Sequence, residues 1–314
     1  MFALIEKNLI IVILSFSILA LFVPELFLWV KTWTPLLLAL IMFCIGSSLR
    51  TEDFKNTWNK KWAIIFTALL KYILMPVIAF IYGKLFRLSL NDLIGLIIIG
   101  SAPGGTAVNV YSYLSRSNVA INIVLTFVTT LIAPIAMPVI IYIFLHKHVN
   151  IPFLAMMRSI IFVVSIPLLA GIILKKYIQK TRLLIDTFPS LSIISIALIL
   201  GCIVALNQKN LLMFPVMTIL AVLCVNVSGY LVGYAQSKIF WREKADKRAI
   251  ALEYGTQDGG LAVILTINFF GAAAALAGAL YSVSQTIFGS LLIKLWKPVN
   301  RYNKSHILSQ EKKS

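Results

Sequence analysis

The sequence predicts an all-α membrane protein of ten transmembrane helices, arranged as two inverted five-helix repeats. Three observations predict it. Apolar residues make up 60% of the chain and charged residues only 12%, with a mean hydropathy of +0.93, so its main solvent is lipid rather than water. Two glycine-bearing interruptions, Ala102-Pro103-Gly104-Gly105-Thr106 and Glu253-Tyr254-Gly255-Thr256-Gln257-Asp258-Gly259-Gly260, fall inside apolar segments at matching places in the two halves. Lys and Arg are distributed unevenly between alternate loops.

Measured against the roughly 20 residues that cross a bilayer, the apolar segments are Asn8–Val23, Pro35–Leu49, Trp62–Tyr82, Leu93–Leu114 and Val119–Leu145, then Pro152–Leu174, Ser190–Leu206, Leu211–Phe240, Ala249–Phe270 and Ala272–Trp296. We number these spans 1 to 10. The first two are short, and Pro24 with Pro35 marks the turn between them. No small-residue cleavage pattern follows the stretch after Lys7, so span 1 is expected to stay. With both termini placed in the cytoplasm, that side carries 21 Lys and Arg and the other only five, while Lys71 and Arg158 lie inside spans. This asymmetry favours an even number of spans with both ends inside. A plasma membrane or bacterial inner membrane fits a chain without a transit peptide.

Five spans per half is an odd number, which forces the second half to enter the membrane upside down. Residues 1–148 then form the first inverted repeat, residues 149–297 the second, and residues 298–314 a basic cytoplasmic tail. In that arrangement span 4 corresponds to span 9, and both are the interrupted ones. A broken helix leaves peptide groups unpaired, which lipid does not tolerate unless protein or a water-filled cavity surrounds them. Matching interruptions in two halves therefore point to a binding site between repeats, as in secondary transporters.

The net charge of +17 borders the spans and belongs to no folded basic domain, so anionic lipid headgroups of the inner leaflet are the expected partner and nucleic acid is not. Cys44, Cys202 and Cys224 have neither disulfide nor zinc spacing. His146, His148 and His306 adjoin no catalytic partner. No catalytic residues, no enzymatic activity and no cofactor are expected.

The segment Gly100-Ser101-Ala102-Pro103-Gly104-Gly105-Thr106-Ala107-Val108-Asn109 resembles one signature of the bile acid:sodium symporter family, and the chain looks like a bacterial-type member. Glu253-Tyr254-Gly255-Thr256-Gln257-Asp258 resembles the second signature, at the break of span 9. Smaller echoes occur at Leu49-Arg50-Thr51-Glu52-Asp53-Phe54, Met75-Pro76 and Gly278-Ala279-Leu280-Tyr281-Ser282. The resemblance implies a core bundle with crossed, broken helices 4 and 9, a panel of helices 1, 2, 6 and 7, and alternating access between them. It also implies symport of a small organic anion, a bile-acid-like or pantoate-like carboxylate, with sodium as coupling ion.

The resemblance maps sodium ligands onto Glu253, Asn109 and Thr126, and oxygen donors of this kind, with the Gln257 amide, suit a hard cation. Two positions depart from the pattern: Val108 stands where relatives have serine, and Asn122 where span 5 offers another hydroxyl. A third departure is larger. Lys71 occupies the position of a glutamine that holds the second sodium in relatives, and Asp258 replaces the asparagine after Gln257. An intramembrane lysine needs a partner, and the acidic residues available are Glu253 and Asp258. The expectation is that the Lys71 ammonium replaces the second sodium, held near one of them, and that a proton or sodium couples transport.

For substrate, half-helix N-termini at Gly105-Thr106 and Gly259-Gly260 would present backbone N–H groups to a carboxylate, with Asn109 and Asp258 alongside. An ionised Asp258 would repel an anion unless protonated or paired with Lys71. Arg158, about two turns into span 6, is expected to snorkel. A channel is disfavoured by the absence of a filter sequence, and a cation/proton exchanger without organic substrate is the alternative.

Overall fold

The structure, a computed structural model, describes residues 9–105, 107–178, 182–206, 208 and 216–296. The described residues are helical, with no strand among them. Six helices are long and apolar enough to cross a membrane: Val30–Ser48, Thr51–Leu85, Val119–Leu145, Phe153–Lys175, Val216–Phe240 and Ala272–Leu295. Leu90–Gly100, Ser190–Leu206 and Gly259–Phe270 are shorter apolar helices. Large apolar side chains, among them Phe22, Trp33, Trp62, Ile73, Phe162 and Ile173, stand exposed around the outside. In water such a surface would be a liability, and it fits a protein integral to a membrane.

Most span ends fall close to the expected positions, and Val119–Leu145 coincides with span 5. Others move. Span 2 runs over Val30–Ser48 and includes Pro35, which the sequence had assigned to the preceding turn. A proline one turn inside costs a hydrogen bond, and membrane helices tolerate this where neighbours resatisfy the freed groups. Span 7 begins at Arg182 rather than Ser190, because a helix continues past the end of its apolar run into the interface. Span 6 contains a π turn at Ile161–Ser165, which no periodicity in its apolar sequence announces.

Both expected interruptions are real. Span 4 divides into Leu90–Gly100 and Ala107–Leu114, and span 9 into Lys244–Gly255 and Gly259–Phe270. Thr106 lies outside the described residues.

Small residues set the packing around these breaks. Val30–Ser48 lies against Ile166–Ile178 with Gly46 facing the Leu168 carbonyl and Gly171 facing the Phe43 carbonyl, each too close for any side chain. This is small-residue helix contact as membranes favour it. Leu9–Phe22 packs on Arg182–Leu206. Leu90–Gly100 packs on both Lys61–Leu85 and Ala272–Leu295, and Lys244–Gly255 packs on Val216–Phe240 and Val119–Leu145.

Candidate functional site

The two interruptions meet. Gly104 pairs with Gln257 in an isolated antiparallel bridge. The Gly105 N–H donates to the Thr256 carbonyl at 3.0 Å, and the Asp258 N–H to the Pro103 carbonyl at 2.9 Å. Each break thus satisfies part of the other, which removes much of the cost of opening a helix in lipid. Glycine permits the approach: a Cβ on Gly105 would lie 2.5 Å from the Gln257 carbonyl oxygen, and one on Gly104 would enter the Glu253 carboxylate.

Three polar side chains finish the hydrogen bonding. Asn226 Nδ2 and the Tyr281 hydroxyl donate to the Gly255 carbonyl at 2.7 and 3.2 Å. Gln285 grips the Gln257 peptide on both sides, its Oε1 accepting from the N–H at 2.8 Å and its Nε2 donating to the carbonyl at 3.2 Å. Replacing Gln285 with Leu leaves the buried Gln257 N–H without its partner, at about 1–3 kcal/mol, and takes one of two donors from the Gln257 carbonyl, which keeps the Gly259 N–H. A drop in the detergent thermal midpoint is the expected result, and an unchanged midpoint would show that the clamp carries no stability. The sequence analysis passed over Asn226 and Gln285, although a buried amide in an apolar span is itself a signal.

At the centre of the crossing, the Lys71 ammonium donates to the Glu253 carbonyl at 2.8 Å and to Glu253 Oε1 at 3.1 Å. Thr126 Oγ1 donates to Glu253 Oε2 at 2.8 Å. Glu253 therefore has both carboxylate oxygens engaged by protein. Gly104 N–H donates to Thr129 Oγ1 at 3.2 Å, and the Tyr72 hydroxyl holds the Thr129 carbonyl at 2.6 Å. The partner of Lys71, left open between two acids by the sequence, is Glu253. Asp258 instead caps the second half-helix, its Oδ1 accepting from the Leu261 N–H at 3.0 Å.

Other predicted residues take different places. Asn122 donates to the Ser112 hydroxyl and not to Glu253. The Gln257 amide nitrogen donates to the Tyr254 carbonyl at 3.3 Å, and its oxygen, like that of Asn109, is buried with no hydrogen-bond partner among the described residues. The amides expected to face a carboxylate are engaged within the crossing, Gly105 with Thr256 and Gly259 with the Gln257 carbonyl at 2.9 Å. The breaks consume their own donors because two of them lie within bonding reach of each other. Arg158 is exposed and lines neither cavity described below.

A cavity of about 710 Å³ opens beside the crossing, within the range of small-molecule sites. Its floor is formed by Gly105, Asn109, Gln257, Asp258 and Gln285; Leu38, Ile41, Ile196 and Leu200 form an apolar wall. Arg50 also lines it and is exposed; in the sequence it stood within a family echo and was given no role at the site. A second space of about 20 Å³ is bordered by Gly104, Asn109, Thr126, Thr130 and Asp258, room for about one water or small ion. Among the described residues no group of three or more His, Cys, Asp or Glu forms a metal cluster.

Comparison with known proteins agrees with the site. The family described as "Sodium Bile acid symporter family" matches residues 35–214. An uncharacterized sodium-dependent transporter of Bacillus subtilis, YocS, is 31% identical over 285 residues, covering 90% of this chain and 89% of that protein. The probable sodium/metabolite cotransporter BASS1, chloroplastic, of Arabidopsis thaliana is 31% identical over 89% of this chain and 71% of its own length. The probable sodium/metabolite cotransporter BASS5, chloroplastic, of rice is 28% identical over 91% of this chain and 74% of its own. A crossing of two broken helices beside a solute-sized cavity, in a chain matched this widely to sodium-dependent transporters, gives one conclusion: the protein belongs to the sodium bile acid symporter family.

Proposed function

We propose that this chain is a secondary active transporter of a small organic anion, a bile-acid-like or pantoate-like carboxylate, working by alternating access and coupled to a cation. The observation that carries the proposal is the crossing itself, an ion pair at its centre and a 710 Å³ cavity on its flank. The frame is two inverted five-span repeats, with spans 1, 2, 6 and 7 as a panel beside the core and both termini in the cytoplasm. Packing supports it. Exchanging each span with the one five later carries the contact of span 1 with span 7 onto that of span 6 with span 2, and the contact of span 3 with the first half of span 4 onto that of span 8 with the first half of span 9.

Acidic residues repeat the relation. Asp92, in the first turn of span 4, accepts from Thr218 on span 8 at 3.2 Å. Asp246, in the first turn of span 9, accepts from Lys60, just before span 3, at 2.6 Å.

In this reading Lys71 supplies permanently the charge that a second sodium brings in relatives. One mobile cation then remains, sodium or a proton. For sodium the fit is sound: the Asn109 amide oxygen is buried without a partner among the described residues, and Thr126 and Asp258 border the same 20 Å³ space. Hard cations take such oxygen donors. Glu253 contributes charge from behind Thr126, and Gln257 lines the other cavity.

Uptake into proteoliposomes under separately imposed sodium and pH gradients tests the assignment. Lys71→Gln is expected to steepen the dependence of transport on sodium, since a vacated charge is refilled by an ion. Unchanged ion dependence would defeat it. An exchanger of cations and protons alone has no use for so large an apolar-walled cavity, and vesicles holding only sodium and protons would reveal that activity.

A further inference from the structure

Among the described residues, two charged ones line the large cavity, Asp258 and Arg50. Their placement is opposite to what a simple anion site requires. Asp258 sits at the floor and is only 7% exposed, whereas Arg50 is exposed at the end of span 2. Lys71, at the centre of the crossing, is held by Glu253, and no ion pair to Asp258 is found among the described residues. One Asp258 oxygen caps the helix at the Leu261 N–H, and the carboxylate borders both cavities.

The positive end of that half-helix is therefore already occupied by the protein's own carboxylate. A solute carboxylate driven to this depth would meet like charge in a site where water screens little. A solute ammonium would meet a partner. At the other end Arg50 suits a carboxylate, which it grips as a fork, and the Leu38, Ile41 and Ile196 wall suits an apolar body between them.

On the reading of this cavity as a transport site, we propose that its solute is an organic acid that also carries a protonated amine, the ammonium against Asp258 and the carboxylate toward Arg50. The class is thus a zwitterion whose amine and acid are separated by an apolar body, rather than a plain carboxylate. A sodium ion seated in the 20 Å³ space would weaken the pull of Asp258 without reversing it, so the test is run with and without sodium.

Binding isotherms on the purified full chain compare two matched trios: 6-aminohexanoate with hexanoate and pentylamine, and 8-aminooctanoate with octanoate and heptylamine. At least one zwitterion is expected to bind about tenfold or more tightly than its matched anion, in sodium and in its absence. Asp258→Asn keeps the helix cap, because asparagine caps as well as aspartate, and is expected to reverse that order. Arg50→Gln is expected to weaken zwitterion and anion and leave the amine unchanged. A matched anion that outbinds its zwitterion overturns the proposal, as does uptake of organic anions by a protein that binds neither zwitterion. In both results transport itself stands. Failure of the wild type to take up any organic solute would instead sink the transport reading.

Discussion

Replacing Lys71 with Met is expected to cost roughly 3–5 kcal/mol of stability and to abolish uptake. The two side chains of the Lys71–Glu253 pair are 1% and 0% exposed, so removing the ammonium strands a carboxylate where water does not reach it. The Glu253 carbonyl loses its donor at the same time. Glu253→Gln alone strands the ammonium and is expected to cost a similar amount. Because each single change removes the same interaction, the double variant should lose well under the sum, by ~2 kcal/mol or more. Chemical denaturation of the four proteins in detergent measures the cycle, and additive losses would mean that the pair is not a unit. A cation that fills the vacated position would restore part of the Lys71→Met stability, rising with the logarithm of its concentration above its Kd. Sodium-dependent recovery would therefore join the thermodynamic result to the proposed replacement of the second sodium.

How much of this was legible in the sequence depends on the kind of residue. The breaks at Pro103–Gly105 and Gly255–Gly260 were legible because proline and glycine have few uses inside an apolar span. That the broken spans cross was implied by the family resemblance, and the Gly104–Gln257 bridge brings the two breaks together; their peptide groups, expected to face solute and ion, in part bond to one another instead. Helix ends were read less well. Hydropathy marks where apolar residues stop, whereas the helix beginning at Arg182 has already formed eight residues before Ser190.

The partner of Lys71 lies 182 residues away in sequence, and choosing Glu253 over Asp258 requires the register of two packed helices. Neither residue type nor spacing supplies that. The helix-capping role of Asp258 was nearer to hand, since an aspartate just before a Gly-Gly-led apolar run is a capping signal. Its conflict with an anion at the half-helix mouth was seen in the sequence, but the cap that places its carboxylate there was not. Gln285 and Arg50 were missed for opposite reasons. One looks like an incidental amide in an apolar span and the other like an ordinary basic residue at a span end, and their shared cavity exists only once the spans are assembled.

Gly104→Ala puts the crossing itself to the test, with an expected loss of transport and of at least ~1–3 kcal/mol of stability from overpacking. The new methyl would enter the Glu253 carboxylate, and that group has no room to retreat. Lys71 holds one of its oxygens at 3.1 Å and Thr126 the other at 2.8 Å. If the side chain yields, the buried ion pair opens; if the backbone yields, the bonds from Gly105 to Thr256 and from Asp258 to Pro103 lengthen together. Both routes lead to the same loss, which is why a single carbon is expected to matter so much here. Gly260→Ala is the control. Its added carbon would find Asp258 Oδ1 at 3.5 Å and Leu38 Cδ1 at 3.7 Å, ordinary contacts within a helix, so stability should hold or rise slightly. Thermal melts and uptake measured on both variants separate the cases: equal tolerance at positions 104 and 260 would mean that the close approach of the two breaks is not what holds the site together.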